Sequence, residues 1–197
     1  MTRTPRVTSR QAPRRAFTLV ELIAVMIVVA VIGAVGAMTM QRAAAANSQV
    51  STRSALYGEA SAAMDRLIRK VQSTPARAAS NPTVPSIASF TATTFTFDDL
   101  STVTYDANAQ TIVLRDVAAG DTTSATPVLL GQVTAFTATP FDQSNANIFT
   151  ALGVASLNST QSATIRRISI QFTMTREGQS VTLRSRAFIR CTMASTG

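Results

Sequence analysis

The chain has 197 residues, enough for one domain of modest size together with a tail or an anchor. Its net charge of +8 is uneven, because five arginines and no acids lie within the first 16 residues. There is no histidine and only one cysteine, Cys191, whereas metal sites and nucleophile–base pairs usually draw on histidine or on several cysteines. The composition therefore argues against an enzyme, against a metal or other cofactor, and against an internal disulfide. We interpret Cys191 as a buried or unreactive thiol.

Residues 17–40 form an almost wholly apolar segment in which Glu21 is the only charge. As a helix, about 24 residues are about 36 Å long, enough to cross a hydrocarbon core of about 30 Å. Hydrocarbon also forces the backbone to form its hydrogen bonds internally, so helix is the expected structure. The preceding arginines are a topology signal that keeps the N-terminus in the cytoplasm. We expect one membrane span followed by an exported remainder.

The order of the N-terminal features differs from that of an ordinary secretory signal. Such a signal has a shorter apolar core, and its small-residue cleavage site follows that core. Here the small residue, Ala16, stands before the apolar segment. Cleavage at this position would remove the basic residues and keep the hydrophobic helix.

Glu21 is the most informative residue of the segment. A carboxylate inside a membrane span is costly and marks function by default. In a chain that begins at Phe17, the free ammonium of that chain or of a neighbouring subunit would neutralise it, and a helix N-terminus also favours negative charge. The alternative is a glutamate that merely reaches the membrane interface.

The letters RRAFTLVELIAV at residues 14–25 resemble the cleavage and methylation motif of type IV prepilins and type II secretion pseudopilins. The resemblance implies that prepilin peptidase cuts between Ala16 and Phe17 on the cytoplasmic side and methylates the amino group of Phe17. It also implies that Glu21, the fifth residue after the cut, pairs with the N-terminus of a neighbouring subunit during assembly.

The resemblance covers about residues 10–40 and departs from the family at one position. The residue before the cut is usually glycine, whereas here it is Ala16, the next smallest, so we still expect cleavage. The letters RRAF at residues 14–17 also resemble a twin-arginine export signal, but such signals have a weaker apolar core without a glutamate.

Residues 41–74 predict an amphipathic continuation of the helix. Apolar residues recur there every three to four positions, as on a buried helical face. The helix should end near Thr74, because Pro75 lacks an N–H and disfavours helical geometry before it. The members of the apolar face are Leu56, Ala60, Met64, Leu67 or Ile68, and Val71.

Residues 75–197 predict a β-rich head. Three prolines favour a loop over residues 75–89. Residues 90–97 read as a strand-like run, residues 103–114 as a hairpin, residues 116–126 as a polar loop and residues 128–137 as a further strand. Residues 140–163 read mainly as loop, with an apolar patch at residues 148–157 packed against the rest of the head, and residues 168–189 read as a C-terminal hairpin. The expected fold class is α+β, with a long N-terminal helix packed on an antiparallel sheet.

The head also resembles J-type minor pseudopilins and W-type minor pilins. The segments that carry this likeness are MDRLIR at residues 64–69, the strand-like runs between residues 103 and 136, and the hairpin at residues 168–186. It implies a minor rather than a major subunit.

Two further groups were weighed as sites. The acids Asp98, Asp99, Asp106, Asp116 and Asp121 lack the spacing of a calcium loop, so we expect no metal there. Arginines on the last hairpin could contact nucleic acid, although a solvated face or a protected sheet edge is the simpler interpretation. The arginines in question are Arg166, Arg167, Arg184 and Arg186.

The sequence thus predicts a precursor in the inner membrane with a cytoplasmic N-terminus and a periplasmic head, which then enters a pilus or pseudopilus. Its expected domains are the cleaved leader 1–16, the membrane half-helix 17–40, the amphipathic half-helix 41–74 and the head 75–197. Its expected partners are prepilin peptidase, other pilin or pseudopilin subunits, an inner-membrane assembly platform and membrane lipid. The alternatives are a minor pilin that binds DNA and an anchored exported protein that never assembles.

Overall fold

The computed structural model describes residues 18–78, 81–117 and 128–193. The expected leader, the cut between Ala16 and Phe17, and most of the polar loop expected at residues 116–126 lie outside the described residues. The chain divides into two compact units, residues 1–48 and residues 49–197. Each unit is described by itself below.

The first described element is the helix α1, Leu19–Gln72, which runs without interruption for 54 residues and crosses the boundary between the two units. It ends two residues before Thr74, as Pro75 predicts, and the N–H of Ser73 still donates to the carbonyl of Arg69. Within the second unit the predicted apolar face is confirmed. Its buried residues are Leu56, Ala60, Ala63, Met64, Leu67 and Val71.

The head consists of antiparallel strands with two short helices, so the expected α+β fold class is confirmed. The strands are β1 Ala76–Ala78, β2 Asn81–Pro85, β3 Ile87–Thr91, β4 Thr94–Phe97, β5 Thr102–Asp106, β6 Thr111–Arg115, β7 Val128–Leu130, β8 Val133–Phe141, β9 Ser156–Leu157, β10 Arg167–Arg176 and β11 Gln179–Phe188. The short helices are α2 Ile148–Leu152 and α3 Ser159–Ser162, and a 3₁₀ turn spans Arg190–Met193.

The strands form three sheets among the described residues. β1 and β2 pair alone, six strands follow the order β7-β6-β5-β4-β3-β9, and three follow the order β11-β10-β8. The predicted hairpins are confirmed, since β5 pairs with β6 and β10 pairs with β11 over its whole length. The β10–β11 loop has two residues, Glu177 and Gly178, both at positive φ, as in the turn that matches the twist of paired strands.

The expected loop over residues 75–89 is wrong, because β1, β2 and the start of β3 occupy it. The loop was predicted from its prolines, which include Pro82 and Pro85. Both lie on β2, which within the described part of the chain pairs with β1 alone, and prolines that cannot donate to a ladder are tolerated on such an edge strand.

The expected single strand over residues 128–137 is two strands. β7 pairs with β6, whereas β8 pairs with β10 in the other sheet. Between them lies Gln132 at a φ of 58°, a left-handed conformation that turns the chain from one sheet to the other. The strand-like run at residues 90–97 is likewise divided, into β3 and β4.

Residues 140–163 were expected to be mainly loop, with an apolar patch packed somewhere. The apolar part is confirmed, since Ile148 and Leu157 are buried. The asparagines, however, cap short helices: Asn147 accepts from the N–H of Phe149, and Asn158 forms a reciprocal capping box with Gln161.

One hydrophobic cluster holds the second unit together. It joins the buried face of α1 to the inner faces of the six-stranded and three-stranded sheets. Phe90, Phe95 and Phe97 form its aromatic centre, with ring centroids 5.2 Å apart for the first pair and 5.8 Å for the second. From β10 the alternating residues Ile168, Ile170, Phe172 and Met174 enter this cluster, so the opposite face of that sheet points outward.

Candidate functional site

The start of α1 places Glu21 in the first helical turn. The hydroxyl of Thr18 accepts a hydrogen bond from the N–H of Glu21 at 3.4 Å, and the carbonyl of Thr18 accepts from the N–H of Leu22 at 3.2 Å. Thr18 is therefore the N-cap. Sequence analysis missed this role, although the letters T-x-x-E at residues 18–21 are the pattern that signals it.

Every residue from Thr18 to Ser51 is exposed within this chain. The apolar side chains among them are large, with Leu19 at 77% exposure and Ile32 at 66%. A helix of this length and composition is able to cross a membrane. Such a surface is stable only against lipid or against other apolar helices.

Beside Glu21 the helix surface carries a shallow groove. Ala24 is its small residue, and Val25, Val28 and Val29 supply the rest of the lining. Because Ala24 has only a methyl group and lies three residues after Glu21 on the same face of the helix, a second chain can approach the carboxylate closely here. The groove joins the only acidic group of the span to an apolar contact surface.

A second candidate site is the outer face of the three-stranded sheet. Arg167 of β10 stands in one cross-strand row between Phe141 of β8 and Phe188 of β11. In the next rows Ser169 stands opposite Arg186, and Gln171 opposite Arg184. Three of the four arginines singled out from sequence therefore share this face.

Arg166 does not belong to that face. It precedes β10, and its Nη1 donates to the carbonyls of Ala163 at 2.9 Å and Ile165 at 3.3 Å. These bonds satisfy backbone acceptors just after α3. The side chain of Arg166 therefore binds nearby backbone and does not extend over the sheet face.

The guanidinium of Arg167 lies over two aromatic rings. Its Cζ is 4.7 Å from the ring centroid of Phe141 and 5.5 Å from that of Phe188. Its Nε is buried and has no hydrogen-bond partner among the residues that the structure describes. Burying an N–H group without a partner is unfavourable, and the cation–π attraction to the two rings offsets part of this penalty. The same attraction holds the Arg167 side chain along the sheet.

Two of the acids considered as a calcium site share a lysine partner, and Asp121 lies outside the described residues. Lys70 of α1 lies 3.4 Å from Asp99 and 3.2 Å from Asp116, and it stands 5.1 Å from the ring centroid of Phe97. A lysine ammonium thus occupies the position between the two carboxylates. Within the described residues, no group of three acidic, histidine or cysteine side chains is placed to bind a metal.

The carboxyl group of Asp99 is partly buried, which alone would raise its pKa. The backbone N–H of Ser101 donates to it at 2.9 Å, and Lys70 adds its charge. Together these donors hold the pKa of Asp99 below its ordinary value of 3.8.

Sequence analysis also missed Arg77. Its Nε lies 2.9 Å from Asp98, and its other nitrogens donate to the carbonyls of Ser159 and Ile87. The hydroxyl of Ser86 joins the same carboxylate at 2.9 Å. One arginine thereby ties β1 to β3, to the turn after β4 and to α3. No local pattern could reveal it, because these partners lie 10 to 82 residues away.

Cys191 lies in the final 3₁₀ turn, half-buried against the core. Burial raises the pKa of its thiol, and the nearby positive charge of Arg166 offsets this only in part. The thiolate is therefore disfavoured at neutral pH.

Comparison with known proteins gives no relative from which a role could be transferred: no protein-family model, no curated protein and no solved structure matches this chain.

Proposed function

We propose that the chain is a filament subunit precursor of the type IV pilin and type II secretion pseudopilin family. In this account prepilin peptidase removes residues 1–16 in the cytoplasm and methylates Phe17. The apolar half of α1 holds the subunit in the inner membrane, with the head in the periplasm. The subunit then enters a pilus or a secretion pseudopilus, where it is a minor component.

The observation that carries this proposal is the order of the cleavage-like motif and α1 along the chain. The motif at residues 14–22 leads directly into α1, so a cut before Phe17 would leave Thr18 to cap an unbroken helix of 54 residues. The first half of that helix is apolar and exposed, whereas the second half is built into the head. A signal that is cut after its apolar core would separate the two halves.

In this proposal, Glu21 sets how neighbouring subunits align in the filament. In lipid the buried carboxylate is unfavourable unless it is paired. The ammonium of a methylated Phe17 on a neighbouring subunit is a suitable partner, and the groove at Ala24 gives access to it. Pairing would penalise a wrong axial register, because a shifted subunit would leave both charges without a partner.

A fractionation experiment on the native host tests this function. Surface or periplasmic filaments are sheared from cells and separated from membranes, and the chain is detected in both fractions with an antibody to the head. We expect a minor share in the filament fraction and none in cells that lack prepilin peptidase. If cells of every background keep all of the chain in membranes, it is an anchored protein that does not assemble, and the proposal is wrong.

A further inference from the structure

The strand β11 has a free edge over ten residues. It pairs with β10 on one side, and among the described residues no strand lies on the other. A two-residue hairpin loop makes Arg176 and Gln179 a hydrogen-bonded pair, and hydrogen-bonded pairs then recur at every second residue. The N–H and C=O groups of Thr182, Arg184 and Arg186 therefore point away from the sheet.

The side chain of Arg184 does not stand in front of this edge. Charged residues usually protect an edge by standing in front of it. Here the Nε of Arg184 lies 3.5 Å from the hydroxyl of Ser169 on β10, so its arm leans inward over the sheet. At one end of the strand Phe188 is half exposed and offers an apolar contact.

The charges beside the edge favour one kind of occupant. Within the described residues the outer face of β8, β10 and β11 bears Arg167, Arg184 and Arg186 and no acid. A second copy of β11 would bring arginine against arginine, which is destabilising for directly opposed residues. A duplex nucleic acid is a poorer fit, because strong duplex binding draws on roughly six to ten phosphate contacts. Among the described residues of the three strands, only Arg184 and Arg186 are exposed arginines, since Arg167 and Arg176 are partly buried.

We propose that β11 binds an extended, acidic segment of a partner protein by strand addition. The partner's backbone pairs with Thr182, Arg184 and Arg186, while its carboxylates meet the two arginine side chains. The ladder supplies affinity, and the arginines select an acidic strand over a neutral one. This inference does not depend on cleavage or filament entry, so it stands or falls separately from the proposed function.

The probe is a synthetic ten-residue peptide that alternates glutamate with valine and threonine. Its control has the same composition but alternates D- and L-residues, which prevents regular strand pairing. Both are added to the isotope-labelled full chain in non-ionic detergent, and amide hydrogen exchange is followed by NMR. We expect the all-L peptide to slow exchange at Thr182, Arg184 and Arg186 at least tenfold, and the control to leave it unchanged.

A charge reversal tests the role of the arginines. We expect Arg184→Glu with Arg186→Glu to weaken peptide binding at least tenfold. The matched control is Arg66→Glu with Arg69→Glu, which makes the same charge change at exposed positions of α1 and should leave binding within twofold. The inference would be overturned if the two peptides bound equally well, or if both double variants lost peptide binding to the same extent. Stronger protection of the same amides by a duplex oligonucleotide would also overturn it.

Discussion

The Nη2 of Arg176, at the end of β10, lies 3.1 Å from a carboxylate oxygen of Glu59 on α1. The two residues are 117 positions apart, and the Nε of Arg176 also donates to the side chain of Gln132. This pair connects the helix to both the C-terminal hairpin and the crossing from β7 to β8. Both side chains are substantially exposed, so the contact aligns the elements more than it stabilises them.

Removing this ion pair should have a small effect compared with removing core volume. We expect Glu59→Ala to lower the free energy of unfolding by about 0.2–1 kcal/mol. We expect Leu67→Ala, at a fully buried position of the same helix, to lower it by about 2–5 kcal/mol. Urea unfolding of the full chain in detergent measures both values, and an equal effect of the two changes would contradict this account of the core.

Arg77 should contribute more to the stability of the head than its position on a three-residue strand suggests. Arg77→Ala leaves Asp98 and the carbonyls of Ile87 and Ser159 without their charged donor. We expect a loss of about 1.5–3 kcal/mol in the free energy of unfolding. Arg115→Ala, a change of the same kind near the end of β6, serves as control and should cost less than about 0.5 kcal/mol.

The carboxylate of Asp99 should make stability depend on pH in the acidic range. Because its pKa in the folded state lies below 3.8, the ionised group stabilises the fold above that pH, and this contribution is lost as the pH falls through the folded pKa. We expect Asp99→Asn to be less stable than the parent by roughly 0.5–1 kcal/mol at pH 7, a small value because the group is partly solvated. The difference should vanish near pH 2, and a difference that stays constant with pH would rule out the charge as its cause.

Glu21→Ala should reduce filament entry without unfolding the head. The variant loses the carboxylate that we propose to pair with a neighbouring N-terminus, whereas the core cluster of the head is built from residues of the second unit. Glu59→Ala is the matched control, because it removes the other glutamate of α1. The measurement is the ratio of filament-bound to membrane-bound chain. Normal entry of the Glu21 variant would refute the pairing role.

The residue before the proposed cut should control processing. Ala16→Gly should be cut at least as fully as the parent, because glycine is the residue that the prepilin motif usually has there. Ala16→Leu should accumulate as an uncut precursor. Immunoblots of membranes compare the two sizes, and mature-sized protein from the leucine variant would exclude this cut site.

The helix and the two long hairpins were predictable from sequence because their signals are local. The spacing of Leu56, Ala60, Met64 and Val71 defines one helical face, and the alternation from Ile168 to Met174 defines one face of a strand. Pro75 marks the end of the helix through its own covalent structure.

The remaining features depend on residues far apart in sequence. Pro82 predicts a loop unless one knows that β2 is an edge strand among the described residues, and Gln132 gives no sign that the chain changes sheets. The bonds of Arg77 exist only after the head has folded. The sharing of one face by Arg167, Arg184 and Arg186 follows from hairpin register, whereas the separate position of Arg166 follows from its bonds to nearby carbonyls.

The most direct test of the central claim is the intact mass and N-terminal residue of the chain recovered from membranes of its native host. The account predicts a chain that begins at Phe17 and carries one additional methyl group on its amino terminus. A chain that still begins at Met1, or one trimmed after the apolar span, would contradict it.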